Sequence, residues 1–221
     1  MLIQPITVSP WQSNCYLVRR SEEDVDTLII DPGMTAFAPV REIVEAGGLR
    51  PRALLATHGH FDHIGDAYRL ADHFGIPLFL ARPDQHLVTR PGAGLGPRGD
   101  AMVAQFTGSA EAPPVADVRD HVEPSEIAGL TVTPFPAPGH TLGSTLLTVS
   151  DGETQVVFTG DVLFRGTIGR TDLPGGSMIQ MRETLARIVA EFPAGVKLLP
   201  GHGEPTSLAE EIASNPYLQN L

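Results

Sequence analysis

Thr57-His58-Gly59-His60-Phe61-Asp62-His63 places three histidines and a carboxylate within six consecutive positions, a density reached nowhere else in the 221 residues. In extended backbone, residues i and i+2 project to the same side, so His58 and His60 can bind one ion as a pair. Asp62 and His63, at the turn into the following helix, can aim at a second ion alongside. The competing reading is a polar loop in which Asp62 caps the helix and the histidines lie at the surface. Three downstream motifs weaken it. Pro138-Gly139-His140-Thr141 follows a strand ending near Phe135, Phe158-Thr159-Gly160-Asp161 ends another, and Leu199-Pro200-Gly201-His202-Gly203 ends a third. One His or Asp after a strand is an ordinary turn residue or cap. Three with the same placement point to one metal centre built at strand ends.

Outward from that stretch, the first part of the chain reads as short strands at Leu2–Val8, Asn14–Arg19 and Asp26–Ile30, the last ended by the turn Asp31-Pro32-Gly33. The pattern predicts a helix over Pro39–Ala46 stopped by Gly47-Gly48, then a short buried strand at Ala53–Ala56, with Thr57–His63 following as a loop. Apolar residues at helical spacing (Ile64, Ala67, Tyr68, Ala71) predict one helix over Ile64–Phe74, ended by Gly75. Pro77–Leu80 returns as a strand. Arg90–Pro114 is rich in Gly, Pro and Ala, with a helical turn expected at Ala101–Phe106, and reads as a mobile active-site cover rather than a linker. Strands at Leu130–Phe135, Thr145–Val149, Gln155–Thr159 and Val196–Leu199 and helices at Met178–Glu191 and Leu208–Ala213 complete the chain. Two groups of strands, each with helices following, predict a single α/β domain over 1–221 with two sheets face to face and helices outside.

Composition agrees, since 42% apolar and 19% charged residues are globular values and the length suits one domain with a sizeable core. A formal charge of −11 argues against nucleic acid or an anionic membrane as the main partner, because both reward clustered Lys and Arg. Small anionic substrates stay compatible, because a bound metal dominates its local field. Met1–Asn14 lacks the basic start and long apolar run of a signal peptide, and no apolar run is long enough to span a membrane. The single cysteine, Cys15, allows no intrachain disulfide, so a cytoplasmic setting is expected. It falls in Asn14-Cys15-Tyr16-Leu17-Val18, a strand, where a small buried apolar role is expected.

The spacing His-x-His-x-Asp-His, matched by His58, His60, Asp62 and His63 and followed in order by His140, Asp161 and His202, resembles the metallo-β-lactamase superfamily nearly end to end. The resemblance implies a four-layer αββα sandwich of two mixed β-sheets. It also implies one metal on His58, His60 and His140, a second on Asp62, His63 and His202, and Asp161 bridging the two. Asp31 resembles the family's structural aspartate, which supports ligands from behind. True β-lactamases of the superfamily commonly carry a cysteine where this chain has Asp161, which argues against that activity. Phe158-Thr159-Gly160-Asp161-Val162-Leu163-Phe164 and Gly169-Arg170-Thr171-Asp172 resemble instead the glyoxalase II group and related thioester hydrolases. Only Gly203–Leu221 follow His202, with no room for the C-terminal helical domain of glyoxalase II. Gly203-Glu204-Pro205-Thr206 stands where that group has an aromatic glutathione contact. Weak selectivity for glutathione is the corresponding expectation.

The expected function is a binuclear metal-dependent hydrolase of a small-molecule thioester such as an S-(2-hydroxyacyl) thiol. Two divalent ions, expected to be Zn2+ with Fe and Mn as alternatives, would lower the pKa of bound water to about 7 and supply hydroxide. Asp62 and Asp161 are the expected catalytic carboxylates. The alternatives are a mononuclear iron persulfide dioxygenase, on the positions of His58, His140 and Asp161, and a lactonase. A non-catalytic metal-binding module is disfavoured by seven intact ligands. Arg170 is expected either to hold a substrate carboxylate or to pair with Asp172. Met102, Val103 and Phe106 either line a wall over the metals or pack as core, core being the default. His73, His86 and His121 carry no assigned role, and Glu204 reads as a solvated turn residue.

Overall fold

The computed structural model describes residues 1–219 and 221. Strands β1 (Leu2–Val8), β2 (Ser13–Arg19), β3 (Asp26–Ile30), β4 (Arg50–Leu55), β5 (Leu78–Phe79) and β6 (Val118–Arg119) lie side by side in chain order. The β1–β2–β3 pairs are antiparallel and the β3–β4–β5–β6 pairs parallel. Parallel neighbours require crossovers. These are α1 (Phe37–Ala46), then α2 (Phe61–Ile64) with α3 (Ala67–Phe74), then two 3-10 turns (Arg82–Leu87, Pro91–Leu95) with α4 (Gly99–Thr107).

The second sheet begins with an antiparallel run of β7 (Ser125–Ile127), β8 (Leu130–Pro136), β9 (Thr145–Ser150) and β10 (Gln155–Gly160). A small hairpin, β11 (Leu163–Phe164) with β12 (Thr167–Ile168), and α5 (Met178–Glu191) follow. β13 (Lys197–Pro200) then joins parallel to β10, β14 (Thr206–Ser207) closes the edge, and α6 (Leu208–Ser214) ends the fold.

Alternation along the strands sets the layers. Leu28 and Ile30 face Leu147, Val149 and Phe158 of the opposite sheet, whereas Ile29 and Leu54 face the other way, onto Val40 and Val44 of α1 and Leu70 of α3. In the second sheet Leu146, Val157 and Leu198 turn outward onto Met181, Leu185 and Ile188 of α5. Each sheet is thus buried on both faces, and the expected four-layer αββα sandwich of two mixed sheets results. Phe158 sits between the sheets, edge-on to Tyr16 with ring centroids 5.0 Å apart. Among the described residues no helix is long and apolar enough to cross a membrane.

The structure corrects several boundaries. The helix expected over Ile64–Phe74 is two, and the loop expected through His63 ends at His60, because Phe61–His63 already turn as α2. Asp66 interrupts the helical run because its carboxylate accepts from Phe37 N (2.9 Å), at the start of α1, and from Arg69 (3.3 Å). The helix expected from Pro39 begins at Phe37, since a proline in the first turn removes only an amide that has no intrahelical partner. β4 starts at Arg50 rather than Ala53, passing Pro51 through a register shift against Thr27 and Leu28. The short strands β6 and β7 were not legible as strands. Arg90–Pro114 holds a 3-10 turn and a full helix, and Gly92 and Gly99 pack closely against Asp100 and each other. Cys15 is fully buried, and burial pushes its thiol up, out of the reactive range.

Phe158→Ala is expected to destabilise the fold by about 3–5 kcal/mol, since it opens a cavity between two sheets that cannot collapse freely. Urea unfolding checks this, with the slope m unchanged.

Candidate metal centre

Every chemistry-bearing loop leaves the C-terminal end of a strand. Asp31 follows β3, Thr57–His60 follow β4, His140 follows β8, Asp161 follows β10 and His202 follows β13. β8 and β10 are both antiparallel to β9, and β13 is parallel to β10, so all three point their C-terminal ends the same way. Facing sheets therefore deliver their loops to one edge, the usual ligand edge of α/β sheets.

All seven side chains expected as ligands meet there. His58, His60 and His140 form one group of converging donor atoms, Asp62, His63 and His202 another, and His58, His63 and Asp161 a third between them. His60 Nδ1 lies 2.8 Å from His140 Nε2, and His63 Nε2 lies 3.3 Å from His202 Nε2. Asp161 spans the groups, with Oδ1 3.3 Å from His63 Nε2 and Oδ2 3.6 Å from His140 Nε2 and 3.5 Å from His202 Nε2. Asp62 Oδ2 is 3.2 Å from His202 Nε2.

The ring tautomers follow from what stands behind each histidine. Thr57 Oγ1 gives its one proton to Asp31 Oδ2 (2.8 Å), so it accepts from His58 Nδ1 (3.1 Å). His63 Nδ1 donates to Asp31 Oδ2 (3.0 Å), His140 Nδ1 to the Arg170 carbonyl (2.7 Å) and His202 Nδ1 to the Trp11 carbonyl (3.1 Å). In these four rings Nε2 is left to face the cluster. His60 instead turns Nδ1 inward. His58 Nε2 and Asp161 Oδ1 are buried without a hydrogen-bond partner among the described residues. Buried acceptors facing one another without donors are the arrangement a cation resolves, and a His/Asp donor set fits zinc, iron or manganese.

Electrostatics prepare the same outcome. Burial pushes His58 well below its ordinary value and His60 to about 3, so both rings are neutral. Burial also opposes charge on His63 and His202, but Asp161 and Asp62 outweigh it, with Asp31 adding at His63, and lift them to about 9 and about 10. Burial resists ionisation of Asp62 and Asp161 too, yet His63 and His202 hold both carboxyls below the usual range.

Three contributors are invisible as sequence motifs. Asp84, in the 3-10 turn after β5, is buried and accepts from Gly59 N (2.9 Å), Thr141 Oγ1 (2.7 Å) and Gly143 N (2.9 Å). It clamps the His58–His60 loop to the His140 loop, and a Cβ at Gly59 or Gly143 would strike it. Trp11 holds His202 through its carbonyl, and Asn14 Nδ2 donates to Pro200 O (3.0 Å) and Gly203 O (2.9 Å), bracing the same loop. Nothing in the spacing of Asp84, Trp11 or Asn14 separates them from ordinary turn residues. Gly160, at φ +48°, and Gly201 bring backbone against Thr57 and Asp161, where side chains would collide.

Arg170 lies on the wall of the cavity above the cluster, and its guanidinium is bonded twice to Asp172, at 2.7 and 2.8 Å. Of its two expected tasks the pairing is the one formed, and its carbonyl holds His140. Met102 lines the cavity and Phe106 is exposed, whereas Val103 is buried against Met34 and Phe61. His73, His86 and His121 lie outside the cluster, and Glu204 is exposed.

A profile of the metallo-beta-lactamase superfamily matches residues 8–202. The hydroxyacylglutathione hydrolase GloC of Haemophilus influenzae is 33% identical, the match covering 100% of this chain and 99% of that protein. Among solved structures, BLEG-1 B3 metallo-beta-lactamase superposes with a TM-score of 0.84 at 30% identity, over 99% of this chain and 100% of that one. TTHA1623 in a di-iron-bound form gives a TM-score of 0.77 at 33% identity, over 97% and 100%.

Loading the centre with zinc at pH 7 is expected to release about two protons, those on His63 and His202. Both pKa values are raised, so the protons compete with metal below about 9 at His63 and about 10 at His202, and affinity climbs as pH rises toward those values. Calorimetry in buffers of different ionisation enthalpy measures the release, and a value near zero would contradict the assignment. Asp84→Ala strands three donors and is expected to destabilise the protein by about 2–4 kcal/mol and weaken metal binding roughly 10- to 100-fold. Asp84→Asn should recover little, because its amide nitrogen would face donors.

Proposed function

This chain belongs to the metallo-beta-lactamase superfamily, and on that premise we propose that it is a binuclear metal-dependent thioester hydrolase. One ion would sit on His58, His60 and His140, the other on Asp62, His63 and His202, with Asp161 shared. The observation that carries this reading is the convergence of two donor groups around one carboxylate. The end-to-end match to a hydroxyacylglutathione hydrolase supports the thioester. When bound, two divalent ions would polarise a carbonyl and bring the pKa of a water to about 7.

The chain's own residues do the rest. Asp161 lies between the two groups, and the acceptors behind His58, His63, His140 and His202 hold those four imidazoles with Nε2 free to bind. Asp62, with one oxygen held for the second ion, would present the other to take a proton from the attacking water. The water oxygen bonds to the carbonyl carbon, the carbon–sulfur bond breaks, and the departing sulfur receives the proton held at Asp62. Thioester and water thus become carboxylic acid and thiol. A thiolate is a good leaving group and a good ligand for such ions, which favours a thioester over an amide. The substrate is a small molecule, and with a charge of −11 neither nucleic acid nor membrane is proposed as a partner.

Zinc is the proposed ion, and the di-iron form of TTHA1623 is the reason to test iron beside it. Protein purified without added metal should contain two ions per chain. Asp161→Ala should lower both occupancies and cut kcat/KM by roughly a thousandfold or more, about 4 kcal/mol of transition-state stabilisation. Full activity with a single ion would overturn the binuclear assignment. Oxygen uptake with glutathione persulfide by iron-loaded protein, far faster than thioester cleavage, would replace hydrolysis with persulfide oxidation. Faster turnover of a lactone or a β-lactam would replace the thioester.

A further inference from the structure

The cavity above the cluster, about 370 Å³, has a polar floor and an apolar wall. The wall comes from Trp11, Leu95, Met102 and Leu173, contributed by three separate stretches of chain. Met102 and Phe106 lie one helical turn apart on α4, and Phe106 meets Trp11 edge-on with centroids 5.4 Å apart. Trp11, Met102 and Phe106 keep 40%, 37% and 44% of their surface exposed, an apolar rim continuous with the reaction site. No core role accounts for that exposure.

The charge on the wall points the same way. Among the described residues lining the cavity, Arg170 is the single Lys or Arg, and both of its outward bonds go to Asp172. An anionic carrier, such as a thiol bearing terminal carboxylates, needs free charge-assisted donors some distance from the reacting carbonyl. Ions held on the cluster would act at the carbonyl itself and leave that need unmet. GloC carries its name for a glutathione thioester while matching this chain over its whole length, so chain length is no argument about the carrier and the case rests on the lining of this cavity.

We propose that the non-reacting part of the substrate is an uncharged alkyl or aryl group seated against Trp11, Met102 and Leu95, so that the site takes apolar thioesters in preference to thioesters of anionic carriers. This rests on the hydrolase reading above. The apolar group belongs to the acyl chain or to the leaving thiol, and two substrate series separate these sources.

Zinc-loaded full-length protein is assayed with acetyl to hexanoyl thioesters of the neutral thiol N-acetylcysteamine, with acetyl thioesters of lengthening alkyl thiols, and with the same acyl groups on glutathione. In one series kcat/KM should rise about two- to fourfold per methylene, with glutathione esters no better than their neutral counterparts. Trp11→Ala and Met102→Ala should flatten that slope, while the Trp11 carbonyl still accepts from His202. Trp11 is the chain's one tryptophan, so its fluorescence reports binding without turnover. Non-hydrolysable S-alkyl thioethers of N-acetylcysteamine should bind more tightly as the chain lengthens, and S-alkyl glutathiones should show no advantage.

A flat slope in both series, or a hundredfold preference for glutathione esters, would overturn the proposal. So would Trp11→Ala leaving the slopes intact while dissociating an oligomer in sedimentation, which would make the rim a contact between copies. If no thioester turns over but thioether binding still scales with chain length, the hydrolase reading falls and the apolar subsite stands.

Discussion

A neutral imidazole offers one lone pair, and the centre exists because four of its five rings have the other nitrogen tied to an acceptor behind them. Asp31 does most of this work. Its carboxylate takes Thr57 N, Thr57 Oγ1 and His63 Nδ1, and through Thr57 it also sets the proton on His58. Asp31 adopts φ +52° to reach them, a left-handed conformation that Asp accepts more readily than most residues. The acceptors behind His140 and His202 are backbone carbonyls, which no protonation change can remove. Ligand orientation is therefore built into the fold before any ion arrives.

Neither sheet can make the centre alone. The first supplies the dense loop after β4, and the second supplies His140, Asp161 and His202 from three strand ends. Their joint is a set of buried polar ties across the sandwich. Asp84 binds the two histidine loops together, Thr57 O accepts from Thr145 N (2.8 Å), and Tyr16 Oη donates to Pro200 O (2.7 Å). A buried carboxylate with all its donors satisfied is rigid, and losing one partner strands the others. Rigidity matters here because a site that binds metal through several converging donors tolerates little displacement of them.

The rim of the cavity follows a different rule. Its residues are apolar and partly exposed, and among the described residues lining the cavity the single Lys or Arg, Arg170, is paired with Asp172. The cavity thus joins a strongly polar floor to an apolar wall. On the reading proposed above, such a division leaves the reacting bond to the cluster and substrate choice to the side chains of α4 and of Trp11, which can change while the backbone carbonyl at position 11 still holds His202.

How much of this the sequence determined by itself can be read from particular residues. The density of Thr57–His63 and the repeated placement of His140, Asp161 and His202 after strands are local patterns, so the seven ligand candidates and the sandwich were legible without coordinates. Asp31 was legible only through the family resemblance, since after its strand it reads locally as a turn residue. Asp84, Trp11 and Asn14 were not, since each acts across a sequence separation of 59 to 191 residues and looks locally like any turn residue. The break between α2 and α3 escaped for the same reason, because Asp66 leaves the helical pattern to bond α1. Arg170 was undecidable as a sequence, and only the tertiary structure pairs it with Asp172 and turns its carbonyl to His140. Local spacing can determine which atoms are available, but which of them meet depends on how two sheets align their strand ends, and that alignment is set by side chains packed between them.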